Sequence, residues 1–328
     1  MIVLCILLFL ILVTLLISYI TFRMAFYATR KPEKTDISLP LGDIYEVYHD
    51  QMVAFIHECR AMKWEPVEIR SHDGLRLTGK YYEYAPGAPI ELMFHGYRGK
   101  AERDLSGGVQ RCFRLGRSAL LVDQRACGDS EGHVITFGIK ESRDCHDWVD
   151  FMIQKFGPDV KIILTGISMG ASTVMIAAGS ELPPNVVGVL ADCGFTSAKA
   201  IIQKVAKTMG FPPKLSYPFL RLGGLLYGGF DPDKDSSVAA MARCKLPVIF
   251  FHGEADDFVP CDMSRENYAA CVGPKALVTI PGAGHGLSYL ADPDHYLETL
   301  AQFTREQYGI PCEINAEGKV QSAELTAE

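Results

Sequence analysis

The chain has 328 residues, of which 48% are hydrophobic, and its formal net charge is −7. This much apolar sequence can bury the core of one large α/β domain. The acidic balance, without any basic run interleaved with aromatic residues, excludes a surface built to bind nucleic acid.

Residues 2–22 carry no charged side chain, and a helix of about 20 apolar residues is long enough to cross the hydrocarbon core of a bilayer. The run has no basic segment before it and is too long for an ordinary signal peptide, which favours a retained transmembrane anchor over residues 1–22 rather than a cleaved signal. The basic residues that follow predict, by the positive-inside rule, a single-pass membrane protein with a cytoplasmic catalytic domain. These residues are Arg23, Arg30, Lys31 and Lys34.

Residues 23–65 are predicted to contain a polar, Pro-containing linker (31–42) and an amphipathic helix. Apolar residues recur at helical spacing in this helix, which can pack on the domain, the favoured alternative, or on the membrane surface. They are Ile44, Tyr48, Met52, Phe55, Ile56 and Cys59.

Ten cysteines are scattered along the chain without C-x-x-C pairs or the spacing of zinc ligands. Cys145, for example, belongs to the apolar stripe of an amphipathic helix. The pattern predicts free thiols in a reducing compartment, in agreement with a cytoplasmic domain, and predicts no metal and no organic cofactor.

Residues 66–310 have the pattern of an eight-stranded α/β domain. Asp73-Gly74 between two strand-like runs predicts an antiparallel hairpin. Six further apolar runs alternate with helical stretches, as in a mostly parallel sheet with helices on both faces. The predicted strands are 66–71, 75–84, 90–94, 118–123, the run from 161 that leads to Ser168, 186–191, 247–251 and 276–280.

Three segments complete the predicted organisation. Residues 196–243, between the sixth and seventh strands, are longer than an ordinary crossover, and their apolar residues suit either an acyl pocket or ordinary core packing. The last helix is predicted over 289–308, and residues 311–328 form a polar tail.

Gly166-Ile167-Ser168-Met169-Gly170 is the G-x-S-x-G pattern of a nucleophile elbow, placed between a strand and a helix. Side chains at the two glycines would collide with the neighbouring strand and helix. The helix that begins at Met169 points free amides and its positive dipole end toward any oxyanion formed at Ser168.

In open α/β sheets, catalytic groups gather beyond the carboxyl ends of the strands. Here Ser168 follows the fifth strand, Asp256 follows the seventh in a loop that begins His252-Gly253, and His285 follows the eighth between glycines. A hydroxyl, a carboxylate and an imidazole therefore occur at strand ends in the order Ser, Asp, His.

With these residues the sequence resembles the α/β-hydrolase superfamily over most of residues 66–308, especially its serine esterase, thioesterase and peptidase-like branches, and an N-terminally membrane-anchored subgroup with few assigned substrates. The resemblance implies Ser168 as nucleophile, His285 as general base and Asp256 as the acid that orients it. It implies an oxyanion hole formed by the backbone amides of Tyr97 and Met169, and a short cap between strands 6 and 7, over residues 196–243.

Several neighbouring residues have competing interpretations. Asp257 and Asp192 are weaker candidates for the acid, and His95 and His252 are interpreted as structural. In the loop after the fourth strand, Asp123 and Arg125 are interpreted as ordering the loop. Cys127 is a candidate for a reactive thiol. Arg98 is a candidate for binding an anionic substrate group, against the default interpretation of an arginine that is exposed to solvent or in a salt bridge.

The sequence therefore predicts a serine hydrolase that cleaves a carboxylic ester, acyl or lipid-like, through an acyl-enzyme. A thioesterase or serine peptidase would use the same residues, because the triad determines acyl transfer and not the leaving group. A noncatalytic binding protein on the same fold is the alternative of another class. The expected partners are a small-molecule or lipid-like acyl substrate and a membrane, but no nucleic acid; the sequence leaves the oligomeric state open.

Overall fold

The computed structural model describes residues 1–29, 37, 39–40 and 42–315. Most of the predicted linker 31–42 and the end of the predicted polar tail, 316–328, lie outside the described residues. The chain begins with a long helix, α1 (Ile2–Ala25), which is followed by two shorter ones, α2 (Asp43–Glu46) and α3 (His49–Ala61). The amphipathic helix predicted around residues 44–59 is thus two helices.

Eight strands form one sheet, as predicted, in the spatial order β1-β2-β4-β3-β5-β6-β7-β8. β1 and β2 form the predicted antiparallel hairpin, β2 pairs antiparallel with β4, and all remaining pairs are parallel. The strands are β1 (Glu65–Arg70), β2 (Arg76–Tyr82), β3 (Ile90–Phe94), β4 (Ser118–Val122), β5 (Ile162–Ile167), β6 (Val186–Asp192), β7 (Val248–Gly253) and β8 (Lys275–Ile280).

Helices cover both faces of the sheet, and the alternating side chains of a strand serve both layers. In β3, Leu92 and Phe94 pack in one buried cluster with residues of the helices on one face, whereas Met93 packs in another with the helix on the opposite face. The connecting helices are α4 (Ala101–Arg114), α5 (Glu141–Phe156), α6 (Met169–Ala178) and α10 (Cys261–Ala270).

The segment between β6 and β7 contains α7 (Ala198–Thr208), α8 (Pro213–Gly223), a π-helical turn (Gly224–Gly228) and α9 (Ser237–Met241). Ser197 begins α7 by accepting a hydrogen bond from the amide of Ala200 at 3.0 Å. We call residues 196–243 the cap.

The predicted last helix, 289–308, is interrupted. The structure has α11 (Ser288–Ala291), α12 (Pro293–Phe303) and a final π-helical turn (Thr304–Tyr308). Pro293 cannot donate a hydrogen bond to the preceding turn, and the Asp292 side chain accepts one from the amide of His295, which starts a new helix. The prediction of one continuous helix was wrong for this reason.

α1 continues three residues beyond the predicted anchor, and its second half packs on the domain. Residues 1–12 are exposed, whereas Ser18, Phe22 and the following Phe26 are buried. Phe22 and Phe26 belong to a buried cluster that includes residues of the cap and Met169 beside Ser168. The first part of α1 therefore projects from the domain, and the second part is a piece of its core.

Candidate active site

Ser168 lies at the turn between β5 and α6 with a φ of 55°, a conformation that is strained for a residue with a side chain. The two flanking glycines make this turn possible. A Cβ at Gly166 would lie 2.2 Å from the carbonyl carbon of Gly170, and one at Gly170 would lie 2.0 Å from the carbonyl oxygen of Phe94. The elbow therefore packs backbone against backbone and directs the Ser168 hydroxyl into a cavity.

The structure brings Ser168, His285 and Asp256 together from three separate loops. His285 Nε2 lies 2.9 Å from Ser168 Oγ, and His285 Nδ1 lies 2.6 Å from Asp256 Oδ2. A carboxylate only accepts hydrogen bonds, so His285 donates from Nδ1 and its Nε2 accepts from the serine hydroxyl. This is the arrangement in which an imidazole can remove the serine proton.

Asp256 is buried and receives hydrogen bonds from several directions. Its Oδ1 accepts from the amides of Phe258 at 2.9 Å and Val259 at 2.8 Å, and its Oδ2 lies 3.2 Å from His252 Nε2. Burial alone would raise the pKa of Asp256, but the hydrogen bonds from His252, His285 and Val259 hold it well below its usual range. The carboxylate that faces His285 is thus charged at neutral pH.

His252 contributes to the site in a way that the sequence did not reveal. Its Nε2 also lies 2.8 Å from the carbonyl oxygen of Val259, so this nitrogen carries the proton and donates, while Nδ1 accepts from Ser264 Oγ at 2.7 Å. The interpretation of His252 as a structural residue agrees with these contacts, but the group that it supports is Asp256. The four-residue spacing of His252 and Asp256 in one loop was the available signal.

The two alternative acids have different surroundings. Asp257 is exposed, and its carbonyl oxygen accepts from Lys204 Nζ. Asp192 is buried, and its two carboxylate oxygens accept from Ser288 Oγ at 2.9 Å and Tyr296 OH at 3.2 Å. Its own carbonyl oxygen accepts from the Ser168 amide at 2.8 Å, so Asp192 supports the backbone of the elbow.

The loop after β3 lies against Ser168. A Cβ at Gly96 would lie 3.6 Å from Ser168 Cβ, and both Gly96 and Tyr97 line the cavity. Within the described part of the chain, no hydrogen-bond acceptor is assigned to the backbone amides of Tyr97 and Met169. Two unpaired amides beside a hydroxyl are the donors that an oxyanion hole needs.

The end of α1 holds this loop from outside. Tyr97 OH donates to the carbonyl oxygen of Ala25 at 2.7 Å. Arg98 Nη2 donates to the carbonyl oxygens of Met24 at 2.8 Å and Tyr27 at 3.1 Å. Arg98 is therefore committed to the backbone at the end of α1 and does not point to an anionic substrate group.

The cavity beside Ser168 has a volume of 270 Å³. Its walls come from the loop after β3, from α4, from the loop of His285 and from the segment that precedes β1. The last of these contributes Pro40, Tyr45, Met52 and Phe55, and Tyr45 OH also donates to the carbonyl oxygen of His285 at 3.0 Å. The predicted amphipathic segment therefore packs on the domain, where it covers the site.

Two adjacent glycines in α4 allow α3 to approach the cavity. A Cβ at Gly107 would lie 3.0 Å from the ring of Phe55, and one at Gly108 would lie 2.2 Å from Met93 Cε. Glycine within a helix costs about 0.5–1 kcal/mol relative to alanine. Here the close packing of Phe55 and Met93 accounts for both glycines.

The cap does not contribute to the walls of this cavity, because none of its lining residues lies between 196 and 243 in the described structure. The cap packs on α1 instead. A Cβ at Gly223 would lie 2.5 Å from the carbonyl oxygen of Ser18, and Tyr227 OH donates to the carbonyl oxygen of Leu15 at 3.2 Å. Of the two interpretations of the cap, core packing agrees with the structure and the acyl pocket does not.

The loop after β4 is held by its own polar residues. Asp123 accepts from the amides of Ala101 and Asp129 at 2.9 and 3.1 Å, and Arg125 pairs with Asp73 and Asp144. These contacts agree with a role in ordering the loop. Cys127 is buried, and burial raises the pKa of its thiol to about 12, which argues against a reactive thiol.

His95 has a similar structural role. Its Nε2 accepts from the amide of Gln124 at 3.0 Å, and Nδ1 lies 2.7 Å from the carbonyl oxygen of Gly96.

All ten cysteines are free thiols, and all except Cys5 are buried.

Among the residues that the structure describes, two groups of side chains place possible metal ligands within 4.8 Å of one another. In the first, His72, Asp73 and Asp144, the guanidinium of Arg125 already pairs with both carboxylates, which opposes binding of a second cation. In the second, Cys193, Asp256 and His285, the carboxylate and the imidazole are bonded to each other, and burial raises the pKa of the Cys193 thiol well above its usual value. Neither group has the electrostatics of a metal site.

The alpha/beta hydrolase family profile matches residues 92–299, which include Tyr97, Ser168, Asp256 and His285. The chain belongs to the alpha/beta hydrolase family. As an alpha/beta hydrolase it has relatives among bacterial proteins without a described activity. It is 28% identical over 193 residues to the uncharacterized protein YqkD of Bacillus subtilis, a match that covers 58% of this chain and 62% of YqkD.

A second relative is matched over more of its length. The uncharacterized protein Rv2307c of Mycobacterium tuberculosis is 27% identical over 244 residues, which cover 73% of this chain and 79% of that protein. Among solved structures, the esterase Pf2001 of Pyrococcus furiosus superposes with a TM-score of 0.62 at 21% identity and covers 85% of this chain and 100% of its own. At this identity the likeness shows the fold of the alpha/beta hydrolase and not its substrate.

Proposed function

We propose that this alpha/beta hydrolase is a serine hydrolase that cleaves carboxylic esters through an acyl-enzyme. Ser168 is the nucleophile, His285 the general base and Asp256 the acid that orients His285. The observation that carries the proposal is the continuous hydrogen-bond chain from Ser168 Oγ through both nitrogens of His285 to Asp256. A serine hydroxyl is a poor nucleophile unless such a base removes its proton.

The reaction follows from this chain of hydrogen bonds. Ser168 Oγ attacks the acyl carbon while its proton moves to His285 Nε2, and the charge of Asp256 stabilises the imidazolium. The tetrahedral intermediate then expels the alcohol, which takes the proton from His285. Water enters, gives a proton to His285 and attacks the acyl-enzyme, and the carboxylic acid leaves as Ser168 regains its hydrogen.

The amides of Tyr97 and Met169 are proposed to bind the negatively charged oxygen of both tetrahedral intermediates. Met169 begins α6, so the positive end of the helix dipole adds to its hydrogen bond. Loss of one such donor typically costs about 3–4 kcal/mol of transition-state stabilisation.

The cavity supports an acyl substrate of limited size. Its apolar wall includes Met52, Phe55, Met93 and Leu190, which suits an alkyl chain. Its volume of 270 Å³ lies just below the usual range of small-molecule pockets, about 300–1,000 Å³. We therefore propose esters of short to medium acyl chains as substrates.

A thioesterase or a serine peptidase would use the same three side chains, and a noncatalytic binding protein could keep the fold without turnover. Pf2001, which shares the fold, is an esterase, and this favours the ester among these alternatives.

We also propose that α1 is a retained membrane anchor with the catalytic domain on the cytoplasmic side. The helix has 24 residues with a mean hydropathy of 3.1 in its most apolar window and lies near the N-terminus. A cleaved signal sequence of this length would take with it Phe22, which is buried in the domain. This burial favours retention.

A panel of p-nitrophenyl esters from acetate to palmitate, with matched thioesters and aminoacyl amides, tests the proposed activity in detergent-solubilised full-length protein. We expect the highest kcat/KM for a short or medium ester and no turnover by Ser168→Ala. Ser180→Ala, in the exposed turn that follows α6, is the control and should keep full activity. Turnover by Ser168→Ala equal to that of the control would refute the proposal.

A further inference from the structure

The cap exposes an apolar stripe along α8 and the π-helical turn that follows it. Leu215 is 70% exposed, Leu225 46% and Leu226 53%. Leu215 and Leu226 are about three helical turns apart and so lie on the same side of this segment, and Leu225 is next to Leu226. Phe211, in the connection before α8, is 51% exposed. Single exposed apolar residues are common on soluble proteins, but a run of large ones along one element marks an interaction surface.

The same helical segment packs directly on α1. Gly223 lies against Ser18, since a Cβ there would be 2.5 Å from the Ser18 carbonyl oxygen. Tyr227 donates to the carbonyl oxygen of Leu15 and stacks edge-on against Tyr19, with ring centroids 5.3 Å apart. The exposed stripe and the exposed side of α1 thus form one continuous apolar surface.

The length of α1 determines how deep this surface must lie. Only residues 1–12 are free of the domain, and they rise about 18 Å at 1.5 Å per residue. The hydrocarbon core of a bilayer is about 30 Å thick. If α1 crosses it, the part of the helix around Leu15 and Ser18 also lies at hydrocarbon depth, and so does the part of the cap that contacts it.

We propose that Leu215, Leu225 and Leu226 are inserted into the hydrocarbon of the lipid bilayer beside α1, so that the cap is a second membrane-binding surface. This inference rests on the proposed role of α1 as a membrane anchor. The exposed Lys207 and Lys214 flank the apolar connection at Phe211 and can extend their ammonium groups to the phosphate layer.

The insertion also determines how far the active site lies from the membrane surface. Tyr97 lines the cavity and is hydrogen-bonded to Ala25 at the C-terminal end of α1. Arg23 lies over the ring of Tyr27 at 3.8 Å, a charged and aromatic pair of the kind that occurs at the membrane–water interface. The cavity therefore opens near the membrane surface, where an amphiphilic ester is concentrated.

Depth measurements by electron paramagnetic resonance test the inference on the full chain in phosphatidylcholine vesicles. Cys5 is replaced by Ser, which leaves nine buried cysteines, and a nitroxide is attached in separate samples to Leu8→Cys, Leu215→Cys, Leu226→Cys and Val272→Cys. Leu8 reports on the free part of α1. Val272 is 63% exposed and precedes β8, so it lies at the amino-terminal ends of the parallel strands, whereas Ser168 lies at their carboxyl ends. It is the aqueous control.

We expect the labels at 8, 215 and 226 to collide more with oxygen than with the water-soluble nickel complex, and the label at 272 to show the reverse. Labels at 215 and 226 as accessible to nickel as that at 272, with the label at 8 in hydrocarbon, would overturn the inserted cap and leave the anchor intact. A label at 8 in water would overturn both. Ester hydrolysis by the same samples reports separately on the proposed catalytic function.

Discussion

Asp256 is the residue whose surroundings distinguish it most clearly from its neighbour in sequence. It is buried and hydrogen-bonded to His285, whereas Asp257 is exposed and contacts Lys204 only through its carbonyl oxygen. The two carboxylates are adjacent, yet only one faces the imidazole.

Asp256→Asn is therefore expected to lower kcat by about 10⁴-fold, because an amide in this place favours the wrong tautomer of the histidine. Asp257→Asn should leave kcat within the error of the measurement. Steady-state hydrolysis of one ester by both variants checks this. The assignment of the acid fails if the larger loss occurs in the Asp257 variant.

Glu91, on β3 beneath the cavity, provides a prediction about pH. It is fully buried and accepts from Arg111, from Arg117 at 2.5 Å and from Thr165 at 2.9 Å. Burial opposes its charge, but the two guanidinium groups hold its pKa at about 2, below its ordinary 4.5. Because the pKa is lower in the folded protein than in the unfolded chain, the ionised carboxylate stabilises the fold at pH values above 4.5. This stability is lost as the pH falls toward 2.

Glu91→Gln should lower the free energy of unfolding at pH 7 by about 3–5 kcal/mol, because it leaves two buried guanidinium groups without their carboxylate. The difference from the wild type should shrink as the pH falls from 4.5 toward 2. Urea unfolding at several pH values measures both effects. A difference that stays constant over this range would contradict the proposed ion pairs.

The sequence was sufficient for the candidate residues themselves because each follows a buried strand. Ser168, Asp256 and His285 became candidates because parallel strands deliver their carboxyl ends to one edge. Asp192, Asp257 and His95 follow strands as well, so the G-x-S-x-G pattern and the family resemblance were needed to choose among them. Tyr45 and His252 could not be assigned to the site. Tyr45 is far from the others in sequence. The four-residue spacing of His252 and Asp256 is a signal, but it does not by itself show that the ring of His252 faces the carboxylate.

Among the elements, α1 differs most from what its composition suggests. The sequence marks an apolar span of uniform character, but the structure divides it into a free part and a part buried in the domain. A continuous apolar run conceals this division, because lipid and a protein core favour the same side chains.

Two phenylalanines of this region can be used to test its division into a buried part and a free part. Phe26 is fully buried just after α1, and Phe9 is 65% exposed in its first half. Phe26→Ala should lower the free energy of unfolding by about 3–5 kcal/mol through the cavity it leaves. Phe9→Ala should change it by less than about 0.5 kcal/mol. Chemical denaturation in detergent compares them, and equal effects would show that the chain at the end of α1 does not pack on the domain.

Substitutions in the segment before β1 and in the cap should differ in their effect on substrate choice. Phe55, on α3, lines the cavity, whereas Phe211 in the cap does not. Phe55→Ala should extend the range of accepted acyl chains toward longer esters, because it opens the wall between α3 and α4. Phe211→Ala should leave the chain-length profile in detergent unchanged. If Phe211→Ala shifted the chain-length profile instead, the acyl pocket would have to be formed by the cap.

The strands were predictable from the sequence, whereas the roles of the two apolar segments were not. Runs such as residues 90–94 and 118–122 are short, apolar and bounded by turns, so their burial follows directly. The cap and the segment of α2 and α3 both carry apolar side chains at helical spacing. Which one covers Ser168 depends on tertiary packing at Gly107 and Gly108, and no local pattern encodes it.

At the scale of the whole molecule, the catalytic edge of the sheet, the segment over the cavity and the end of α1 meet at one place. Tyr97 connects them, because it lines the cavity, follows β3 and donates to Ala25. The fold, shared with the alpha/beta hydrolase family, explains the sheet and the elbow. Because Phe22 and Phe26 are part of the buried core, we expect that removal of α1 and Phe26 destabilises the domain.

The central claim is that Ser168 is a nucleophile activated by His285. The most direct test is covalent labelling of the full-length protein with a fluorophosphonate, followed by mass spectrometry of the proteolytic peptides. The account predicts one adduct, on Ser168, which is absent in Ser168→Ala and retained in Ser180→Ala. An adduct on another residue, or a folded protein that takes no label at all, would contradict it.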